Sequence, residues 1–157
     1  MINPLNKITI AIDGFSSTGK STVAKQLAQK LGYIYVDSGA MYRAITFFAL
    51  QNKLIDETHF ERETLIRLLP TIRLRFKFNK KLGFAEMFLN DQNVETEIRS
   101  MHISAYVSEI ATVEEVRAYL VDIQRAMGKN KGVVMDGRDI GSVVFPDAEL
   151  KLFLMAD

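Results

Sequence analysis

The chain contains no cysteine among its 157 residues. Disulfide bonds and thiolate metal sites are therefore excluded, and the composition fits a reducing compartment. The net charge is only +1, so overall charge does not favour a nucleic acid or an anionic membrane as a partner. The opening segment MINPLNK lacks the apolar core of a signal peptide, and no uncharged run approaches about 18 residues. We expect a cytoplasmic protein with no nucleic-acid and no membrane partner.

The chain does have enough apolar residues to form a sizeable core. Hydrophobic residues make up 48% and charged residues 25%, which is close to the average for globular proteins. The length suits one domain with room for a small insertion. Strand-like runs at 7–13, 33–36, 132–137 and 148–157 alternate with helical patterns, and this alternation predicts an α/β fold with a mostly parallel sheet.

Helix boundaries follow from apolar spacing and from capping residues. Val23, Leu27 and Leu31 repeat every four residues, which predicts a helix that stops at Gly32. Ser38 is a candidate cap for a helix over about 39–51. A further helix is predicted over about 58–69, and another follows a capping box formed by Thr112 and Glu115 and ends at Gly128.

The middle of the chain has a different pattern. In TIRLRFKF (71–78), apolar residues alternate strictly with basic ones, as in a half-exposed antiparallel strand. The segment NKKLG predicts a turn, and FAEMFLN (84–90) predicts a return strand. A hairpin within an α/β pattern indicates an insertion.

The segment GFSSTGKS (14–21) satisfies the phosphate-loop pattern G-x-x-x-x-G-K-[ST]. The glycines allow left-handed backbone angles and close approach to a phosphate, while backbone N–H groups and the following helix supply positive potential. Lys20 supplies a charge for the outer phosphates, and Ser21 supplies a hydroxyl for Mg²⁺. The predicted ATP-binding residues are Gly14, Phe15, Ser16, Ser17, Thr18, Gly19, Lys20, Ser21 and Thr22.

A phosphate loop occurs in GTPases, ATPase motors and small-molecule kinases alike. No Asn-Lys pair in the chain is followed by x-Asp, as guanine recognition would require, and motor ATPases are normally longer. A kinase needs a second phosphate-binding region. Two segments that follow predicted strands, DSGAMYR (37–43) and DGRDIGSVVFPDA (136–148), each contain a carboxylate, glycine and arginine. Taken singly, Asp37 and Ser38 could only cap a helix, and Arg138 could only pair with Asp136 or Asp139.

With these motifs, the sequence resembles the bacterial cytidylate kinases, a family of nucleoside monophosphate kinases with the phosphate-loop fold. The resemblance rests on IDGFSSTGKST, DSGAMYR, EIR (97–99), VRAYLVDIQRAM (116–127) and DGRDIGSVVFPDA, in that order. It implies a three-layer fold with a mostly parallel sheet and a small antiparallel substrate-binding insert. The implied core covers 1–66 and 107–157, and the implied insert covers 67–106.

The resemblance also implies roles for individual residues in transfer of the γ-phosphoryl group of ATP to CMP or dCMP. Arg43 and Arg138 resemble the arginines that hold the acceptor phosphate, which suits a forked guanidinium, and with Lys20 they are the expected catalytic residues. Ser38 is similar to a serine of the acceptor site. Ser108, Arg117 and Asp139 resemble the residues that read cytosine, although an exposed Ser108 and an Arg117–Glu114 pair are the alternatives. Arg99 either contacts substrate or braces the insert.

Mg²⁺ is the expected cofactor, bound with ATP. Ser21 and an acid are its expected ligands; Asp136 follows GVVM as a Walker-B-like acid, and Asp13 is a second candidate. Phosphoryl transfer depends on positioning and charge neutralisation, so neither a covalent nucleophile nor a histidine base is expected. We expect a monomer.

The sequence departs from the family in one respect. Relatives continue for about another third of their length, with an arginine-rich lid, and no counterpart of that part follows Asp157. Because lid arginines neutralise the transferring phosphoryl group, we expect weak activity from this chain and an active longer parent. The alternatives are another small phosphate-loop kinase, of the AMP or shikimate type, and a non-catalytic nucleotide-binding module.

Overall fold

The computed structural model describes residues 6–15 and 18–155. It forms two compact units: unit 1 comprises Met1–Gly39 and Asp122–Asp157, and unit 2 comprises Ala40–Val121. The functional division into a core and an insert at 67–106 stays a prediction. In chain order the elements are β1 (Thr9–Gly14), α1 (Lys20–Leu31), β2 (Ile34–Asp37), α2 (Ser38–Gln51), α3 (Arg62–Leu68), β3 (Leu74–Asn79), β4 (Phe84–Leu89), β5 (Gln92–Asn93), α4 (Met101–Ala111), α5 (Glu114–Met127), β6 (Val133–Gly137) and β7 (Leu150–Leu154).

Unit 1 contains a parallel four-stranded sheet in the order β2-β6-β1-β7. This order confirms the predicted α/β class. All five residues of β6 are buried, as expected for a central parallel strand that reads as a continuous apolar run. Helix α1 packs on this sheet through Ala24 and Ala28, which join Ile10, Ile12 and Val134 in one core cluster.

Helix α1 matches its predicted period and its predicted end. Val23 and Leu27 pack against the core cluster, and Gly32 follows the last helical residue. Leu31, the third residue of the predicted apolar stripe, is exposed because it lies at the end of the helix.

Unit 2 contains the predicted hairpin. Strands β3 and β4 pair antiparallel from Leu74 opposite Leu89 to Asn79 opposite Phe84, and β5 extends the sheet by two residues. The apolar face is buried at Met87 and Leu89, whereas Phe78 is exposed. The predicted half-exposed antiparallel strand is therefore confirmed, and Phe78, the member of its apolar face next to the turn, lies in solvent.

The helix predicted over 58–69 is shorter in the structure. Helix α3 covers Arg62–Leu68, and a 3₁₀ turn that contains Pro70 follows it. The Asp56 carboxylate accepts hydrogen bonds from the backbone N–H groups of Thr58 (2.8 Å) and His59 (2.9 Å). These side-chain bonds give the backbone a local alternative to the helix and so delay its start.

The predicted capping box at Thr112 is also wrong. The Thr112 hydroxyl donates to the carbonyl of Glu109 (2.6 Å) and thus belongs to the end of α4. Helix α5 begins at Glu114 instead, and it ends at Met127, just before Gly128 as predicted. No helix within 6–15 and 18–155 is long and apolar enough to cross a bilayer.

The two glycines of the phosphate-loop motif, Gly14 and Gly19, provide a test of the close approach between β1 and β7. Gly14 has φ 154°, and a Cβ there would lie 2.7 Å from the backbone carbonyl oxygen of Leu154. Gly19 has φ 81°, but a Cβ there would meet nothing within 4 Å. We expect Gly14→Ala to lower the free energy of unfolding by about 2–4 kcal/mol, because backbone strain and overpacking add. The matched control Gly19→Ala should cost only about 1–2 kcal/mol of strain. Urea denaturation measures both, and equal losses would contradict the close approach of β7.

Candidate functional site

The phosphate loop connects the end of β1 to the start of α1. Gly19 is the residue before the helix, and its left-handed conformation is the one that the glycine-rich motif predicts. The Thr18 hydroxyl donates to the Phe15 carbonyl (2.8 Å) and tightens the turn. Ser16 and Ser17 lie outside the described residues. The loop therefore ends at the N-terminus of α1, and a helix N-terminus favours the binding of an anion.

Lys20 contacts the ends of two strands. Its Nζ donates to the carbonyl oxygens of Gly14 (2.5 Å) and Gly137 (3.3 Å), the last residues of β1 and β6. Ser21 and Thr22 follow on the first turn of α1 and are exposed. The ammonium group is thus fixed beside the loop, where a bound phosphate would meet both its charge and the helix N-terminus.

Ser38 lies buried at the end of β2, next to β6. Its hydroxyl donates to the backbone carbonyl of Asp136 (2.7 Å). Helix α2 begins at Ser38, one residue before the predicted start, and the capping role of Ser38 stays a prediction. A buried hydroxyl needs a hydrogen-bond partner, and here the neighbouring strand supplies it.

Asp136 is a buried carboxyl group, with 2% of its surface exposed. Its pKa is raised to about 7, chiefly by burial and also by the nearby Asp37 carboxylate. A hydrogen bond from the Tyr35 hydroxyl (3.0 Å to Oδ2) and the positive charges of Lys20 and Lys25 oppose this rise. A strongly perturbed pKa at the carboxyl ends of parallel strands is a feature of functional sites.

Arg138 and Asp139 follow β6 and are both exposed. The Arg138 guanidinium lies over the Phe15 ring, 5.7 Å from its centroid, and the Phe153 ring meets Phe15 edge-on at 6.5 Å. Among the described residues, no ion pair joins Arg138 to Asp136 or Asp139, so the alternative in which Arg138 only pairs with these acids receives no support. Arg138 is instead placed beside the phosphate loop of the same unit.

Asp13, the last residue before the phosphate loop, contacts the segment after Asp139. Its Oδ1 and Oδ2 accept hydrogen bonds from the backbone N–H groups of Ile140 (2.7 Å) and Gly141 (2.9 Å). The sequence pattern predicts Asp13 only as a candidate ligand for Mg²⁺. The pattern contains no signal for this contact, because it joins residues 127 positions apart in the chain.

Unit 2 contains the remaining predicted site residues. On α2, Nη1 of Arg43 donates to the Ile98 carbonyl (3.1 Å) and to the Ser104 hydroxyl (2.9 Å). Ser108 on α4 and Arg117 on α5 are exposed, and the described part of the chain shows no ion pair between Arg117 and Glu114. Arg99 pairs with Glu95 (2.9 Å), a contact that braces this part of unit 2.

The donor groups at the strand ends suit a hard cation. Within residues 6–15 and 18–155, no three or more histidine or acidic side chains are arranged as a cluster that could hold a metal. The Ser21 hydroxyl and the Asp136 carboxylate are the oxygen groups that Mg²⁺ prefers, and Mg²⁺ normally takes few protein ligands beside phosphate oxygens and water. The residues present therefore fit Mg²⁺ bound together with a nucleotide.

The pKa of Asp136 gives a prediction for stability. Because the folded pKa is raised above the unfolded value of 3.8, the unfolded chain releases this proton first, and stability falls as pH rises from about 4 through about 7. We expect the change in the free energy of unfolding caused by Asp136→Asn, measured without nucleotide or metal, to be more favourable at pH 8 than at pH 5. The difference should be about 1–3 kcal/mol.

Urea denaturation at pH 5 and pH 8 measures this difference. The matched control is Asp147→Asn, which removes an exposed acid of the same unit and should change stability little at either pH. A stability change of Asp136→Asn that does not depend on pH would show that the buried group is not the cause.

Comparisons with known proteins identify the family of this chain. The sequence model of the family "Cytidylate kinase" matches residues 10–157. The chain is 68% identical to a cytidylate kinase of Flavobacterium psychrophilum over 97% of its own length and 67% of that protein. It is 63% identical to one from Flavobacterium johnsoniae and 56% identical to one from Phocaeicola vulgatus, each over 97% of its own length and 66% of the relative. The chain thus spans about two thirds of the length of these curated relatives, and it belongs to the cytidylate kinase family.

Proposed function

We propose that this chain provides the phosphate loop and the acceptor-recognition residues of a nucleoside monophosphate kinase. The reaction transfers the γ-phosphoryl group of ATP to CMP or dCMP and yields ADP and CDP or dCDP. One observation supports this proposal above the others: Lys20 of the phosphate loop donates to the end of β6, directly before Arg138 and Asp139. A donor loop and an acceptor loop at neighbouring strand ends are what phosphoryl transfer requires.

The donor side uses the phosphate loop. Backbone N–H groups of the loop and the N-terminus of α1 bind the β- and γ-phosphates, and Lys20 exchanges its contact with the Gly14 carbonyl for the phosphate oxygens. A point charge on a flexible stem suits this exchange. Ser21 with Asp136 would hold Mg²⁺, which neutralises phosphate charge when bound with ATP.

The acceptor side uses arginine. Arg43 and Arg138 hold the phosphate of CMP, because a guanidinium can form two parallel hydrogen bonds to phosphate oxygens. Arg138 leaves the Phe15 ring to do so, at low cost, since an exposed cation–π contact is worth about 0.5–1 kcal/mol. An acceptor phosphate oxygen then attacks the γ-phosphorus, and the bond from this phosphorus to the β-phosphate bridging oxygen breaks. Ser38, held on the Asp136 carbonyl, borders the acceptor phosphate.

Recognition of cytosine follows from complementary hydrogen bonding. The cytosine amino group donates, so it suits the Asp139 carboxylate, while the ring nitrogen and the carbonyl accept and suit Arg117 and Ser108. Uracil presents an acceptor where cytosine presents the amino group. A bound uracil would bury the Asp139 carboxylate without a partner, at a cost of about 1–3 kcal/mol. On this basis we propose selectivity for CMP and dCMP over UMP. We also propose that residues 67–106 form the substrate-binding insert and that the working form is a cytoplasmic monomer.

Titration calorimetry with CMP and with UMP tests the acceptor assignment. We expect CMP to bind more tightly than UMP, and we expect Asp139→Ala to reduce CMP affinity about tenfold while changing UMP affinity little. The matched control Asp147→Ala removes an exposed acid from the segment that follows and should leave both affinities unchanged. A chain that does not prefer CMP would argue for the AMP or shikimate type, and ADP production with each acceptor identifies the substrate.

The donor assignment has a separate test. Lys20→Ala should reduce ATP affinity at least about tenfold and leave CMP affinity within about twofold, because the ammonium group serves the donor phosphates. Lys30→Ala, at the other end of α1, is the control and should bind ATP as the unmodified chain does. Equal losses of ATP and CMP affinity would place Lys20 outside the donor site.

A further inference from the structure

The segment after β6 has a conformation that needs support. Asp139 has φ 59°, a left-handed conformation that is unfavourable for most residues other than glycine and occasional for aspartate. A single π-helical turn, Ile140–Val144, follows directly, and such turns are rare and frequent at functional sites. Strained backbone persists only where its surroundings hold it in place. The groups that hold this turn therefore determine where Arg138 and Asp139 lie.

Asp13 holds the first end of the turn. The N–H groups of Ile140 and Gly141 lie at its start, where a helical turn offers them no partner, and the Asp13 carboxylate accepts both. Ile140 and Gly141 are buried, so water is a poor substitute for this carboxylate. Because both carboxylate oxygens are engaged with backbone, Asp13 acts on the turn and not directly on a substrate.

Arg125 holds the opposite end. From the last turns of α5, its Nε donates to the Val144 carbonyl (3.2 Å) and its Nη2 donates to the Val143 carbonyl (2.8 Å). The forked guanidinium engages two successive carbonyl groups, a geometry that a lysine cannot reproduce with the same rigidity. An anion thus binds the N–H end of the turn and a cation binds its carbonyl end, the arrangement that a helical dipole favours.

We propose that Asp13 and Arg125 are a pair of positioning residues, which hold the two ends of the π-helical turn and thereby fix Arg138 and Asp139 for the acceptor nucleotide. The inference rests on the proposed function. Asp13 also immediately precedes Gly14, so one side chain connects the strand that carries the phosphate loop to the segment that carries the acceptor residues. Loss of either member of the pair should weaken acceptor recognition, although neither touches the nucleotide.

Calorimetry on the whole chain tests this pair. We expect Asp13→Ala and Arg125→Ala each to lower CMP affinity about tenfold and to reduce the preference for CMP over UMP at least about threefold. The fold-loss of CMP affinity in the double variant should be smaller than the product of the fold-losses in the two single variants, because both residues act on one turn. Asp13→Asn retains one acceptor oxygen and should fall between Asp13→Ala and the unmodified chain. Hydrogen exchange of the Ile140 and Gly141 amides should accelerate in parallel.

Glu149→Ala is the matched control for a loss of stability alone. Glu149 accepts the Thr9 N–H (2.9 Å) at the start of β1, far from Asp13 at the other end of that strand, and it pairs with Lys131. This variant should lower stability and leave both CMP affinity and the preference for CMP unchanged. The proposal is overturned if Asp13→Asn and Arg125→Ala keep the unmodified affinities, or if they change them no more than Glu149→Ala. An unmodified chain without any preference for CMP would instead contradict the proposed function.

Discussion

The pairing of β6 with both β1 and β2 is the constraint on which the candidate site depends. Parallel hydrogen bonding aligns Asp136 with Ile12 on one side and with Asp37 on the other, so three strands end at the same level. The phosphate loop, the first residue of α2 and the Arg138–Asp139 segment all leave the sheet at this edge. Lys20, Ser38 and Asp13 then contact the end of β6 or the residues that follow it. Each of these three contacts would be lost if β6 shifted along its neighbours.

Much of unit 1 could be predicted because its signals are local. A buried strand, a glycine-rich turn and a helix of period four follow one another within about 25 residues, and each leaves a pattern in the sequence. The predicted helix starts are wrong where a polar side chain forms a hydrogen bond with a nearby backbone group. The Asp56 carboxylate binds the N–H groups that would have begun a helix at 58, and the Thr112 hydroxyl binds the end of the preceding helix. Composition and spacing do not distinguish these uses of aspartate and threonine from capping.

The candidate site was predictable as a set of residue types and not as a set of contacts. Motifs indicated Lys20, Arg138 and Asp139, but no motif indicated that Asp13 would accept two amides far along the chain or that Asp139 would take a left-handed conformation. Such features arise from tertiary pairing, which periodicity does not encode. The buried carboxyl of Asp136 is similar: its sequence position identified an acid after a strand, while its raised pKa comes from burial and from the neighbouring Asp37.

The alternation of side chains along β6 has a consequence for folding fidelity. Successive residues of a strand face opposite sides of the sheet, so a slip of one residue could place Asp136 where Gly137 lies and Met135 where Asp136 lies. The space at Gly137 is already occupied, since a Cβ there would overlap the Ser38 hydroxyl oxygen. A misaligned β6 would thus force a carboxylate into that hydroxyl and leave the Asp136 position without its acid. The sheet that builds the core and the contacts at its edge therefore share one alignment, and a misaligned β6 would lose the candidate site.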